Sequence, residues 1–399
     1  MSEWKKVNLG DLIEVKHGFA FKGAFITDEE NKNILVTPGN FHIGGGFKNT
    51  KFKYYNSDDF PSECILNEGD VVVTMTDLSK DSDTLGYSAK IPKIENVNFL
   101  HNQRIGLVQF KSKNADKDFL YWLMRTRDYQ GFIVGSASGT SIMHTSPSRI
   151  KEYEFSLPPL SEQKSIASVL SSLDDKIDLL HRQNATLEKM AETLFRQWFV
   201  EEEKEEWKEV ELETLGEIIC GKTPSKKIAE YFNGNIPFIK IPDMHEKTFV
   251  FVSEDSLTEA GLNSQRNKTI PPNSICVSCI ATVGLVVMNA KTSQTNQQIN
   301  SIIPKKEIYR YFIYLKMLSI KEELVAMASG GTATLNLNTG NFKKIPILLP
   351  SDEELNAFHK EVKAFFDKIY TNQTQIRTLT SLRDTLLPKL MSGEVRVEM

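Results

Sequence analysis

Trp4-Lys5-Lys6-Val7-Asn8-Leu9 is matched, 203 residues further on, by Trp207-Lys208-Glu209-Val210-Glu211-Leu212. Beyond these, Leu12, Glu14 and Gly18 fall on Leu215, Glu217 and Gly221. That makes seven identities in fifteen positions, where typical residue frequencies give about one. Further along, Pro38 meets Pro242, and Asp70-Val71-Val72-Val73 meets Ser274-Ile275-Cys276-Val277. Gly86 meets Gly284 and Asn102-Gln103 meets Asn296-Gln297, after an acidic loop at 77–83 that the second copy mostly lacks. From Gly139-Thr140 over Gly331-Thr332 the shift settles at 192, carrying Leu157-Pro158 onto Leu349-Pro350 and Asp175-Lys176-Ile177 onto Asp367-Lys368-Ile369. The chain is a tandem duplication.

Within each copy the pattern changes partway. Short β-branched runs bounded by turn residues predict strands at 34–37, 71–75 and 105–110, then at 238–241, 275–280 and 299–303. Helical spacing of apolar residues predicts short helices at 118–127 and 309–318. After Pro158-Pro159 a different rhythm begins. Ile166, Leu170, Leu173, Ile177, Leu180, Asn184, Leu187, Ala191, Leu194 and Trp198 alternate steps of four and three. Phe358, Val362, Phe365, Ile369, Asn372, Ile376, Leu379, Arg383, Leu386 and Leu390 repeat it. An unbroken seven-residue repeat is a coiled-coil seam. Ser161 is placed to cap the first helix with Glu162 in its first turn, and Ser351-Asp352-Glu353-Glu354 is a capping box for the second. A helix over 161–199 would be about 58 Å long, too long for one small domain to bury.

The expected fold class is α+β: two α+β domains in tandem, each followed by a long helix, with the two helices pairing as an antiparallel coiled coil. The boundaries run 1–157 for the first domain, 158–200 for its helix, 201–206 for an acidic linker, 207–349 for the second domain and 350–399 for the last helix. Placing Asn184 opposite Asn372 fixes one register, in which Leu180 faces Ile376 and Leu187 faces Ile369. A buried Asn pair disfavours slipped registers; the alternative is that both Asn lie at a solvated edge.

Composition narrows the class. The 399 residues hold 48 Lys+Arg against 52 Asp+Glu, a formal charge of −4, and each half carries 24 basic and 26 acidic side chains. That excludes a polybasic binder but not a local basic patch. Four cysteines do not form a disulfide framework, no signal peptide is visible, and a cytoplasmic location is expected. Residues 269–290 carry no charge, yet Pro271-Pro272-Asn273-Ser274 argues for a strand between loops, not a membrane anchor.

The helix ends carry a recognisable signature: Leu187-Glu188-Lys189-Met190-Ala191-Glu192-Thr193-Leu194-Phe195-Arg196-Gln197-Trp198-Phe199 and Leu382-Arg383-Asp384-Thr385-Leu386-Leu387-Pro388-Lys389-Leu390-Met391-Ser392-Gly393-Glu394-Val395-Arg396-Val397. With Leu157-Pro158-Pro159-Leu160-Ser161-Glu162-Gln163 and the paired Asn-Gln motifs, these resemble the conserved regions of Type I restriction–modification specificity subunits, over the whole chain. The resemblance implies two target-recognition domains, each reading one half of a split, asymmetric DNA target. It implies helices that set the spacer and dock two modification (methyltransferase) subunits. It also implies no catalysis or cofactor in this chain: S-adenosylmethionine, ATP and magnesium belong to partners, which include restriction subunits where these join. Double-stranded DNA is then the other partner, with no membrane. Diverged domains beside better-preserved helices fit two different half-sites on a common spacer.

Candidate DNA contacts are local. Lys48-Asn49-Thr50-Lys51-Phe52-Lys53-Tyr54-Tyr55 interleaves basic and aromatic residues: Lys48, Lys51 and Lys53 suit phosphates, Asn49 a base edge, and Tyr54 lies among them. The competing reading is a solvated strand edge guarded by lysines. Gly221-Lys222-Thr223-Pro224-Ser225-Lys226-Lys227 is a basic, hydroxyl-rich loop, and its counterpart Gly18-Phe19-Ala20-Phe21-Lys22 also carries a lysine soon after the shared glycine. Thr140, Ser141 and Thr332 follow shared glycines and can offer hydroxyls to phosphate, although Gly-Thr turns are common for structural reasons. The Asn-Gln pairs occur in both diverged copies, so a structural role suits them better than base reading. Cys276-Val277-Ser278-Cys279 has half a zinc site, but the duplication aligns it with Val72 and Met75, which are core strand positions. Gly44-Gly45-Gly46-Phe47 lacks the Gly-Lys-Ser/Thr of a phosphate loop. The acidic run 201–206 would face away from a duplex.

Two other readings remain. A specificity subunit of a related system with a fused modification–cleavage polypeptide is a near neighbour. A coiled-coil scaffold that binds proteins is separated from both by salt-dependent DNA binding.

Overall fold

A computed structural model describes residues 4–77, 79, 82–139, 142–329 and 334–397. The chain forms two compact units: Met1–Ile177 with Thr378–Met399, and Asp178–Arg377. Each unit holds one α+β domain, the start of the helix that follows it and the later part of the other helix.

In the first unit an antiparallel sheet runs in the order Ile13–His17, Ile105–Phe110, Val71–Thr74, Ser88–Lys90. A second, mixed sheet runs Ile26–Thr27, Lys53–Tyr55, Asn33–Val36, Asn98–His101, Ile65–Leu66. Its one parallel pairing sets Asn98 to His101 beside Asn33 to Val36. The second unit repeats the plan. Gly216–Cys220, Ile299–Pro304, Ile275–Ser278 and Val286–Asn289 keep the first sheet's order, with Phe249–Val250 added in parallel at the edge. The mixed sheet shrinks to Ser256–Leu257, Phe232–Ile239 and Gln294–Thr295, and keeps its parallel pair. The strand order thus survives where side chains have diverged, and the inner strands Val71–Thr74 and Ile275–Ser278 are buried along their whole length in both copies.

Several expected boundaries move, among them the strand expected over 275–280, which stops at Ser278. The helix expected at 118–127 ends at Leu123, and a second helix, Arg127–Gly135, starts after Thr126, whose extended backbone and side chain cap it by accepting from the Tyr129 amide. The strand expected to reach 241 stops at Ile239, because Ile241-Pro242 opens a short helix, Ile241–Met244. Residues 269–290 hold the strands Ile275–Ser278 and Val286–Asn289. Among the described residues no helix is long and apolar enough to cross a membrane.

The central helix spans Leu160–Arg196 and closes in a π turn, Gln197–Glu201; the C-terminal helix spans Asp352–Ser392. Ser161 does not cap: the helix begins one residue earlier, and the position equivalent to Ser351 is Pro159. The second copy's capping box is formed. Ser351 N donates to Glu354 Oε2 at 2.9 Å and Glu354 N to Ser351 Oγ at 3.3 Å. Both copies instead share a clasp at this point. Trp4 Nε1 donates to Glu162 Oε2 at 3.1 Å, and Trp207 Nε1 to Glu354 Oε2 at 3.2 Å. Each clasp ties the strand that opens a domain to the helix that leaves it.

In both units the helices run antiparallel. In the first unit Asp174 meets Arg383, and Glu162 lies 3.6 Å from Arg396. In the second, Asn372 Nδ2 donates to Asn184 Oδ1 at 2.9 Å, while Phe358 packs on Phe195 and Phe199. Ile166, Leu170, Ile177, Leu180, Ala191, Phe358, Val362, Ile369, Ile376 and Leu390 are buried. Leu173, Leu187, Leu194, Trp198, Phe365, Leu379 and Leu386 are half-buried, whereas Phe195, Phe199, Leu355, Phe366 and Leu387 are buried outside the seven-residue pattern. Each helix packs on a domain core as well as on its twin, so its apolar stripe is wider than a coiled-coil seam.

Candidate nucleic-acid interface

The shared glycines sit where backbone crowds backbone. A Cβ on Gly18 would fall 2.2 Å from the Asn102 carbonyl oxygen, and one on Gly221 would fall 2.2 Å from that of Asn296. Phe19 N donates to His101 O at 2.8 Å and Gln103 N to Phe19 O at 2.9 Å. In the other copy Gly221 N donates to Ile299 O at 3.0 Å and Lys222 N to Thr295 O at 2.9 Å. Each glycine loop is therefore clipped onto the turn that carries the Asn-Gln pair.

Those asparagines are used locally. Asn102 Oδ1 accepts from Arg104 N at 2.9 Å, and Asn296 Oδ1 accepts from Gln298 N at 3.1 Å, the side-chain-closed turn that asparagine favours. Gln103 and Gln297 are exposed, and Gln297 Oε1 accepts from Thr223 Oγ1 at 2.8 Å. The arrangement builds two equivalent platforms, one in each unit.

Lys22 stands exposed on the first platform; Lys222, Ser225, Lys226 and Lys227 stand exposed on the second, with Thr223 half-buried. Among the described residues none of these four lysines joins an ion pair. Burial and bonding fix the loops beneath them. Phe21 packs edge-on against Tyr55 at 4.8 Å, and Asn56 N donates to Phe25 O at 2.8 Å, which joins the Lys22 loop to the segment 48–55. Under the second loop, buried Gln265 donates through Nε2 to Lys222 O and, at 2.9 Å, to Gln294 Oε1. Gln294 in turn donates to Leu262 O and Thr269 Oγ1, each at 3.0 Å.

Segment 48–55 is more varied than its composition suggests. Lys53–Tyr55 is an inner strand, hydrogen-bonded on one side to Ile26–Thr27 and on the other to Asn33–Val36, so it is not a lysine-guarded edge. Lys53 is paired with Asp28 at 2.5 Å, and Tyr54 is half-buried, which raises its phenol pKa. Lys51 takes a left-handed φ of 56° and is exposed, as is Asn49; Lys48 is half-buried, with its amide donating to Asn40 O at 2.7 Å. Thr140, Ser141 and Thr332 lie outside the described residues.

Two exposed cations escaped the sequence reading. Arg104 follows the Asn-Gln pair directly, and that position was legible; Arg266 comes beside the Lys222 loop only through the Gln265 bond, which nothing local signals. Cys276 and Cys279 are core residues, their thiols pushed up to about 12 and about 11 by burial. Among the described residues no group of three or more His, Cys, Asp or Glu side chains is placed to hold a metal ion.

The model of the Type I restriction modification DNA specificity domain matches residues 1–189 and again 204–381. The chain is 32% identical over 480 aligned residues to the Type I restriction enzyme HindI specificity subunit of Haemophilus influenzae, covering 99% of this chain and 100% of that one. It is 30% identical over 305 residues to the MjaIX specificity subunit of Methanocaldococcus jannaschii, covering 70% and 69%. Its fold is similar to the crystal structure of a Type I system S subunit from M. genitalium, with a TM-score of 0.58 at 18% identity over 99% and 96% of the chains. Two matches to one domain model, falling on two units with one strand order, leave a single conclusion: the chain belongs to the DNA specificity subunits of Type I restriction–modification systems.

Proposed function

We propose that each platform is the surface through which its domain meets double-stranded DNA. The observation behind this is the repeated arrangement of a glycine loop clipped to an Asn turn, with exposed cations beside it that join no ion pair among the described residues, in the two most diverged parts of the chain. Lys22 and Arg104 on one platform, and Lys222, Lys226, Lys227 and Arg266 on the other, contact phosphates and set orientation. Neighbouring side chains that differ between the copies, such as Asn49 and Ser225, reach base edges. Lys48, Lys51, Thr223, Thr140, Ser141 and Thr332 complete the proposed contact set.

As a specificity subunit the chain supplies recognition and not chemistry. In this reading it acts in the cytoplasm, its helices set the spacer between the half-sites, and they dock two modification subunits, which bring S-adenosylmethionine. Restriction subunits, with ATP and magnesium, join the same complex. The test is methylome mapping of cells that express this chain with its modification subunit. One split, asymmetric adenine-methylated motif is expected, and exchanging residues 1–150 for another such domain should change one half alone. A continuous motif, or an exchange that alters both halves, refutes it.

A further inference from the structure

The two units differ where the recognition domain packs on the helices. In the first, that place is filled by Arg125. Its buried guanidinium donates to Asp174 and to the Tyr121 hydroxyl, each at 2.8 Å, and to the carbonyls of Gly44 at 3.0 Å and Gly45 at 3.2 Å. It also lies 4.3 Å from the ring centre of Trp122. In the second unit the 192-residue shift, which holds from Gly139 onward, puts Phe366 in place of Asp174 and Ala191 in place of Arg383, and the stretch 314–318 of the facing helix carries no arginine. There a cleft of about 700 Å³ stands open, walled by Tyr314, Phe249, Leu285 and Leu318, with Glu188 and Glu192 of the central helix on one side.

Glu188 in this wall is half-buried and accepts one hydrogen bond, from the Thr248 hydroxyl. Among the described residues it has no cationic partner, although Lys247, Lys321 and Arg377 line the same cleft; Arg377 instead lies 5.0 Å over the Phe251 ring. Burial raises the Glu188 carboxyl pKa, a cation beside it would offset that cost, and an aromatic face nearby favours a flat cation. The cleft thus offers a carboxylate of its own, Glu188, and aromatic rings, as Asp174 and Trp122 do for Arg125 in the first unit, plus apolar walls for an aliphatic stem, without an arginine.

We propose that this cleft receives a guanidinium group, the arginine side chain of a partner protein, which takes in the second unit the place that Arg125 fills in the first. The test uses the full chain with labelled Ile, Leu and Val methyl groups observed by NMR. N-acetylarginine methylamide is the probe, and N-acetylcitrulline methylamide, of the same shape without the charge, is the control. The methyl signals of Leu285, Leu318 and Ile376 should shift saturably with the arginine probe and bind the citrulline probe at least about tenfold more weakly. Glu188→Gln keeps the Thr248 bond and should erase that preference without lowering the melting temperature. Equal response to both probes, or an unchanged preference in Glu188→Gln, overturns the site. In the complex with modification subunits the cleft should no longer take the probe. A cleft still open there refutes the partner as its occupant. That last arm alone rests on the assembly proposed above, so the two failures are distinguishable.

Discussion

Replacing Asp174 by asparagine removes the charge that Arg125 and Arg383 share. The side chains of Arg125, Arg383 and Asp174 are 3%, 16% and 28% exposed, so the two guanidiniums would be left facing each other with little water. Breaking a buried pair on one side costs about 3–5 kcal/mol, and the residual exposure of Asp174 puts this case near the low end, at about 3 kcal/mol. The second unit supplies its own control. Where the first unit holds Asp174 and Arg383 it holds Phe366 and Ala191, both buried, so these helix positions tolerate apolar side chains. The triple variant Arg125→Met, Asp174→Phe, Arg383→Ala should therefore be more stable than Asp174→Asn alone. It should recover about a third of the loss, about 1 kcal/mol, with about 1 kcal/mol withheld for each of the Gly44 and Gly45 carbonyls that loses its donor. Acid should remove the difference. Burial raises the Asp174 pKa, but the two guanidiniums outweigh it and leave the net value lowered. The contribution is then complete above the unfolded value of about 3.9 and lost as pH falls through the lower folded value, where wild type and Asp174→Asn converge. Urea titrations read by hydrogen-exchange mass spectrometry on peptides from 117–135 and 160–177 report this unit directly. A loss under about 1 kcal/mol in Asp174→Asn, or a triple variant no better than the single, would refute the reasoning.

Other outcomes follow from the same geometry. Glu354 is partly desolvated, but Lys204 and Ser351 hold its carboxyl at about 2. Glu354→Gln should cost about 1.5 kcal/mol at neutral pH, with the gap closing as pH falls from about 4.3 toward 2; thermal melts across that range check it. Asn184→Leu leaves the Asn372 amide only a 3.5 Å contact to Gln183, and its Oδ1 is already buried without a partner among the described residues. It should destabilise by about 1–3 kcal/mol, and adding Asn372→Leu should return most of that in urea titrations. Replacing Lys222, Lys226 and Lys227 together by Ala should lower the slope of log affinity against log salt by about 2–3 while the methylated motif stays the same; a changed motif would make these lysines base readers.

Much of the fold was legible because duplication doubles every signal. The Trp4 and Trp207 segments, the Gly18 and Gly221 loops and both helices each stood twice in the chain, and the strand order repeats accordingly. Tertiary partners were not legible. Arg125 reads as one cation at the end of a short helix, since Gly44 and Asp174 lie 81 and 49 residues away. Lys53-Tyr54-Tyr55 reads equally as an edge or an inner strand, because flanking pairing is decided by segments far along the chain. The seam was legible in period but not in width, since a domain core claims Phe366 and Leu387 beside it. Of the proposed interface, the glycines and lysines could be read directly; the Gln265–Gln294 brace could not, as glutamine at those positions carries no periodic or turn signal.

The composition of the two units has a consequence for synthesis. Asp178–Arg377 is one continuous stretch, whereas the first unit needs Met1–Ile177 and Thr378–Met399 together. Leu387 and Leu390 share a core with Ile166 and Leu170, and Arg383 supplies a charge to Asp174. On the ribosome, which releases the N-terminal end first, the earlier-made domain must wait for the last residues before its apolar helix face is covered. The later-made half closes before it, so the order of completion runs against the order of translation, and the nascent first domain carries an open helix face for the time that roughly half the polypeptide takes to emerge.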